Sequence, residues 1–363
     1  MIRHSRYLIA LLAVSGLFVG ACASESEDSS GDAGGAASSD VTACQITDTG
    51  GVDDRSFNQT ANEGLVQAED ELGVTGKVLE STDEADFEPN LDTFINDDCD
   101  LIVPVGFLLD EATQAAAKAN PDQKFAIVDV DFFDVDAGED ITYDNVEELT
   151  FATDQAAFLA GYAAAGASKT GKVGTYGGLN IPTVTIFMNG FLAGVQQYNK
   201  DFDKNVELLG WNGTDGLFVG NFSDTDTGKS YTKDLIDEGA DIIMPVAGPV
   251  GAGTITEVSE RDDPDLGVVW VDVDGCVSLP DDCQYFVTSV EKKMNVAVFD
   301  AIKSVVDDAF EGGLYVGTLE NDGVDIADYQ EWDSKVPDDV KDKVNEYRAA
   351  IIAGTQSVEP TIG

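Results

Sequence analysis

The sequence predicts an α/β fold made of two lobes of similar topology, on three observations. Short apolar runs alternate with amphipathic stretches from Ala43 onward. Those runs are continuously apolar, as strands are when helices cover both faces of a parallel sheet. The chain also carries a weak internal repeat. Asp100–Gly106 (DLIVPVG) reads like Asp241–Ala247 (DIIMPVA), and Ile127–Asp131 (IVDVD) like Trp270–Asp274 (WVDVD), both at an offset of about 140 residues.

In chain order, Ala43–Thr47 is the first strand, and Gly50-Gly51 turns it toward a helix over Phe57–Leu72, for which Ser56 is a credible N-cap. Strands follow at Lys77–Leu79, Leu101–Pro104 and Phe125–Asp129, with a helix at Glu111–Ala119 between the last two. The next helix is Phe151–Ala167. It precedes the strand Lys172–Tyr176, the turn Gly177-Gly178 and the helix Thr183–Tyr198. Val206–Leu209, Ile242–Pro245 and Val268–Asp272 complete the strands, with helices at Tyr231–Glu238 and Lys292–Asp308. Ligands of open parallel sheets sit outside the carboxyl ends of the strands. Both Val-Asp-Val-Asp runs end a strand, so both are expected to face a cleft between the lobes.

Composition narrows the function. A chain of 363 residues with 43% hydrophobic and 9% aromatic residues is globular and long enough for two domains. Its 20 Lys+Arg against 69 Asp+Glu give a net charge of −49, which repels phosphate backbones and disfavours nucleic-acid binding. The single histidine, His4, lies in a stretch expected to be removed. Its loss excludes a Ser-His-Asp triad and every histidine-containing metal site. No cofactor or metal is expected.

Residues 1–21 have the form of a secretory signal. Arg3, His4 and Arg6 are basic, and Tyr7–Phe18 is apolar but too short to span a bilayer comfortably. Val19-Gly20-Ala21-Cys22 resembles a bacterial lipobox, in which the Cys22 thiol takes the lipid. Residues 22–40 then form a Ser-, Gly- and Ala-rich tether with a reach of ~20–25 Å. The folded part is expected to hang, as a monomer, from the extracytoplasmic face of the cell membrane. Four cysteines remain, an even number suited to an oxidising compartment. Cys276 and Cys283 bracket a Pro-Asp-Asp turn and are paired here, leaving Cys44 with Cys99, although four cysteines allow three connectivities.

Asp48 followed by Asp53–Gln59 (DDRSFNQ) looks like the N-terminal signature of the basic membrane protein family, the nucleoside-binding lipoproteins of ABC importers. Phe125–Asp129 (FAIVD), Phe158–Gly161 (FLAG), Gly171–Gly174 (GKVG), Gly239–Ile243 (GADII), Thr288-Ser289 and Asn295–Ile302 continue the pattern in order, over roughly Ala43 to Ala353. The resemblance implies a type I periplasmic-binding-protein fold: two Rossmann-like lobes with parallel sheets, three crossovers and a ligand cleft at the hinge. In this layout residues 41–150 form the first lobe, completed by about 284–312. Residues 151–283 form the second, completed by about 313–363.

The same resemblance implies that Asp48 and Asn58, with Thr49 beside them, meet the ligand from the first lobe. Phe57 and Phe187 would sandwich a purine ring, Asp129 would accept from polar edges, Asp272 and Lys292 would hold the ribose hydroxyls, and Gly248 would let the backbone approach. Lys293 and Asp131 stand as alternatives to Lys292 and Asp129, the two aspartates lying two apart on one face of an extended chain.

Other signals carry less. Gly228-Lys229-Ser230 lacks the glycine five residues earlier that a phosphate loop needs, since Ser223 stands there. Asp224-Thr-Asp226 and Asp129-Val-Asp131 do not continue as calcium loops. The expectation is therefore a lipid-anchored receptor that passes purine nucleosides to an ABC permease and its ATPase by hinge closure. The alternatives are a receptor for a sugar or other small solute, or an exported nucleoside hydrolase using Asp129 and Asp131.

Overall fold

The computed structural model describes residues 39–134 and 138–362. The expected signal peptide, Cys22 and most of the tether lie outside the described residues. The first stretch runs β1 (Thr42–Ile46), α1 (Phe57–Leu72), β2 (Thr75–Leu79), α2 (Phe87–Asn96), β3 (Leu101–Pro104), α3 (Asp110–Ala119) and β4 (Lys124–Val128). A ribbon of β5 (Phe133–Asp134) and β6 (Glu139–Asp140) precedes β7 (Val146–Phe151). Next come α4 (Thr153–Ala167), β8 (Lys172–Gly177), α5 (Pro182–Phe202), β9 (Glu207–Leu209), α6 (Thr225–Asp237), β10 (Ile242–Val246) and α7 (Gly251–Arg261). After β11 (Gly267–Asp272), the one-turn α8 (Gly275–Ser278) leads to β12 (Phe286–Lys292). The chain closes with α9 (Met294–Val306), β13 (Gly313–Gly317), β14 (Val324–Ile326) and α10 (Asp338–Ile352).

These elements form two six-stranded sheets. The first has the order β2-β1-β3-β4-β7-β13 and is parallel throughout. The second has the order β9-β8-β10-β11-β12-β14, parallel except for β14 at its edge. The internal repeat maps onto matching places: β3 and β10 are third from their edges, and β4 and β11 are fourth. The central strands β3, β10 and β11 are buried along their whole length, which is why their sequences are uniformly apolar.

The chain crosses between lobes three times: from β7 into α4, from β12 into α9, and from β13 to β14. This shifts the expected division. Residues 284–312 were expected with the first lobe, but β12 pairs with β11 in the second sheet. Residues 313–363 were expected with the second, but β13 pairs with β7 in the first. A strand belongs to the sheet that takes its backbone hydrogen bonds, so the crossings fall just after Lys292 and Gly317.

Helix α4 is buried on nearly every side, and its alanines and glycines let it lie tight against α5. A Cβ built on Gly161 would stand 2.2 Å from the Phe191 carbonyl oxygen, and one on Gly194 2.1 Å from that of Phe158. Any side chain at these positions would push the helices apart. Both disulfides join the cysteines as paired above. Cys44–Cys99 ties β1 to the turn that precedes β3, and Cys276–Cys283 closes a small loop between β11 and β12. Among the described residues no helix is long and apolar enough to cross a membrane.

Candidate functional site

The carboxyl ends of both sheets open onto one cavity that encloses about 570 Å³ of space, its solvent-open mouth included. Asp48, Phe57, Asn58, Asp129, Phe187, Gly248, Asp272 and Lys292 all line it. Thr49 does not. The Gly50 N–H donates to Asp48 Oδ1 at 3.1 Å, folding the chain so that Asp48 and Gly50 face the cavity while Thr49 between them lies outside its lining.

The loop from β1 to α1 is organised by two carboxylates. Asp54 accepts from the backbone N–H groups of Ser56 (3.0 Å), Asn58 (2.8 Å) and Gln59 (3.0 Å). It is Asp54, and not Ser56, that satisfies the open donors at the start of α1. Ser56 makes no side-chain capping bond. Its hydroxyl instead donates to Asp272 Oδ2 at 2.7 Å, joining the first lobe to the second. Asn58 Nδ2 donates to Asp48 Oδ1 at 2.8 Å and to Asp54 Oδ2 at 3.3 Å, which fixes the amide's orientation. Burial pushes the Asp48 carboxyl above the usual range, against the bonds from Asn58 and Gly50.

Lys292 ends β12 and is only 2% exposed. Its ammonium lies 2.5 Å from Asp129 Oδ2 and 3.5 Å from Asp272 Oδ1, so it bonds one carboxylate from each lobe. It also sits 4.8 Å from the Phe57 ring centroid and 5.3 Å from that of Phe187. Burial works against the charge, but Asp129 and Asp272 outweigh it and hold Lys292 above the usual lysine range. Asp129 and Asp272 adopt φ of 62° and 71°, a left-handed backbone that costs energy in any residue but glycine and clusters at functional sites.

The two open alternatives separate cleanly. Lys293 turns away from Lys292 and pairs with Glu291 at 2.9 Å. Asp131 is exposed, because the positive φ at Asp129 breaks the extended path that would have put both aspartates on one face. Gly248 also has a positive φ, of 52°, and a Cβ built there would meet nothing within 4 Å, so its backbone stands open to the cavity.

Asp54, Gly106, Phe107 and Phe222 line the cavity as well and were not among the expected contacts. Phe222 is half-buried and packs against Gly178, where a Cβ would come within 2.3 Å of its ring. Phe187, at 2% exposure, offers a ligand far less ring surface than Phe222 does. The Gly177-Gly178 pair was legible in the sequence; the aromatic that fills its space, over forty residues later in a loop, carried no signal. Among the described residues no group of three or more His, Cys, Asp or Glu is arranged to hold a metal ion.

A family profile described as "ABC transporter substrate-binding protein PnrA-like" matches residues 41–359. The chain is 35% identical to a CD4+ T-cell-stimulating antigen of Listeria innocua, across 95% of each protein. It is 32% identical to the ABC transporter nucleoside-binding protein BmpA of Lactococcus lactis, across 92% of this chain and 93% of that one. Among solved structures, a solute-binding protein of an ABC transporter system from Aeropyrum pernix superposes with a TM-score of 0.77 at 28% identity. That match covers 86% of this chain and 92% of the other.

Proposed function

The chain belongs to the Bmp family of PnrA-like substrate-binding proteins of ABC transporters, and we propose that it is a lipid-anchored receptor for purine nucleosides. Proteins of this family bind a small ligand and work with permease and ATPase subunits. The ligand class is our reading, and one observation carries it: an inter-lobe cavity with Phe57 on one side, Phe222 and Phe187 on the other, and Lys292 between Asp129 and Asp272.

A nucleoside has a flat π face and two vicinal hydroxyls. Aromatic stacking on a base contributes ~1–3 kcal/mol with little regard to its identity. Phe57 and Phe222 leave ring surface free for it, with Phe187 deeper beside Lys292. Carboxylates beside an ammonium suit a diol, because one accepts hydrogen bonds and the other donates them. Asp272 and Lys292 take the ribose, and Asp129 accepts from the ligand's remaining polar edges. Asp48, Asp129 and Asp272 against one lysine oppose a phosphate, so a nucleoside fits better than a nucleotide. The name of the Lactococcus lactis relative agrees with this reading.

Closure follows from the contacts that span the lobes. Ser56 reaches Asp272, and Lys292 reaches Asp129. A ligand that touches both walls stabilises the closed state over the open one. Cys22 carries the lipid, and the tether holds the receptor at the extracytoplasmic membrane face.

The test is a thermal shift of the chain from Ser39 onward, freed of carried-over ligand, with adenosine, guanosine, inosine, cytidine, ribose and glucose. A ligand at 100 times its Kd adds ~2.7 kcal/mol, a rise of several degrees. A rise with purine nucleosides that is lost in Phe57→Ala supports the reading. A response to sugars alone overturns the ligand class. For the anchor, Cys22→Ser releases the receptor from the membrane fraction; an unchanged distribution overturns it.

A further inference from the structure

Where Asp48 meets the edge of the Phe57 ring, the first-lobe wall of the cavity presents a bound base with an acceptor, and the donors of Asn58, Gly50 and Gly106 around it are committed. Asp48 Oδ1 is occupied by the Gly50 N–H and by Asn58 Nδ2, whereas Oδ2 has no hydrogen-bond partner among the described residues. Both hydrogens of the Asn58 amide are spent, one on Asp48 and one on Asp54. The neighbouring backbone donors are committed too: Gly50 N–H to Asp48, and Gly106 N–H to the Val128 carbonyl at 3.1 Å.

Gly106 shows where the free oxygen points. It has a φ of 113°, and a Cβ built on it would stand 2.9 Å from Asp48 Oδ2 and 3.3 Å from Phe57 Cε1. The missing side chain leaves a slot bordered at once by the carboxylate oxygen and the edge of the Phe57 ring. A base stacked on Phe57 and reaching into that slot presents its edge to Asp48.

We propose that this receptor prefers 6-oxopurine nucleosides, guanosine ahead of inosine, over adenosine. The inference rests on the nucleoside reading above and deepens it. Guanine carries adjacent donors, N1–H and the 2-amino group, on the edge that meets Asp48 Oδ2. Hypoxanthine keeps N1–H alone. Adenine has a lone pair at N1, which faces a carboxylate oxygen and finds no donor in Asn58, Gly50 or Gly106, so that only its 6-amino group can pair with Asp48. A site built to receive a donor rejects the analogue that lacks it, because a buried polar group is then left unpaired.

The experiment is calorimetric titration of the protein, refolded from denaturant to remove carried-over ligand, with guanosine, inosine, adenosine and 1-methylguanosine. Guanosine is expected to bind tightest, adenosine at least about tenfold more weakly, and 1-methylguanosine more weakly still, because its methyl group replaces the N1 donor. Adenosine binding as tightly as guanosine, or 1-methylguanosine binding unimpaired, overturns the preference while leaving the nucleoside reading intact. Failure of every purine nucleoside to bind a protein that still melts cooperatively overturns both. Asp48→Asn gives the wall a donor of its own and should narrow the guanosine-to-adenosine ratio. A folded variant with the ratio unchanged counts against Asp48.

Discussion

Asp129 and Asp272 occupy matching positions in the two halves of the chain, each at the carboxyl end of the fourth strand of its sheet with a left-handed backbone, and both face the ammonium of Lys292. The internal repeat is thus the source of a pair of carboxylates that converge from opposite lobes on a single cation. None of the three groups is stable there alone. A charge taken out of water needs a partner, and each supplies part of what the others need.

Removing the cation is therefore expected to be costly. Lys292→Met leaves two buried carboxylates facing each other and should lower unfolding free energy by about 3–5 kcal/mol, read by denaturant titration. Adding Asp129→Asn and Asp272→Asn to Lys292→Met should recover part of that loss, since no charge then remains unpaired. A triple variant no more stable than the single one would show that the loss comes from packing.

Stability should fall as pH rises toward neutrality, and Glu148 is one cause. It lies on β7, 2% exposed, with Oε2 accepting the Phe132 N–H at 2.9 Å. Burial pushes its carboxyl up to about 7. The folded chain then holds a proton that the unfolded chain releases near pH 4.3. Between those values the native state binds more protons, so stability decreases with rising pH across the window from about 4.3 to about 7. Glu148→Gln should flatten the slope in denaturation measured from pH 4.5 to 8. An unchanged slope would assign it to other carboxyls held up by burial, such as the half-buried Glu147 and the buried Asp54.

The two disulfides should differ in worth. Cys44–Cys99 spans 55 residues and Cys276–Cys283 spans 7. A longer closed loop restricts the unfolded chain more, and loop entropy alone makes the first about 2 kcal/mol more stabilising than the second. Paired Cys→Ala variants, compared by denaturation under oxidising conditions, measure the difference directly. Equal losses would mean that native-state contacts set the effect.

At the α4–α5 contact, Gly161→Ala places a methyl group against the Phe191 carbonyl and should cost about 1–3 kcal/mol. The melting temperature should drop while ligand affinity in the folded protein is retained, because Gly161 lies away from the cavity lining. A neutral substitution would show that the two helices can slide apart freely.

The elements that read well from sequence were those whose burial is uniform. β3 matched residue for residue, and α1 did so because Gly73 stops it in a left-handed turn. β7 gives no continuous apolar signal because Glu147 and Glu148 interrupt its run, and the burial of Glu148 depends on partners elsewhere in the chain. Lys292 was read as opening a helix, whereas it ends β12 and the helix starts at Met294. A strand running straight into an amphipathic helix leaves no break in hydrophobicity to mark the border. Most of the site was carried by motif. Its exceptions were decided by three-dimensional neighbours: Asp54 in place of Ser56 at the start of α1, Phe222 over Gly178, and Thr49 outside the cavity.

Lys292 is also the last residue before the middle of the three crossovers. In the proposed closure, the group that grips both aspartates and a crossover about which the lobes would turn are consecutive links of one chain, so the lever arm between them would be almost nil. A contact at the ammonium need not be relayed through the body of either lobe to bias the swing. A shift too small to disturb the cavity floor is magnified toward the far rims, where a docking partner would read it as a change of shape.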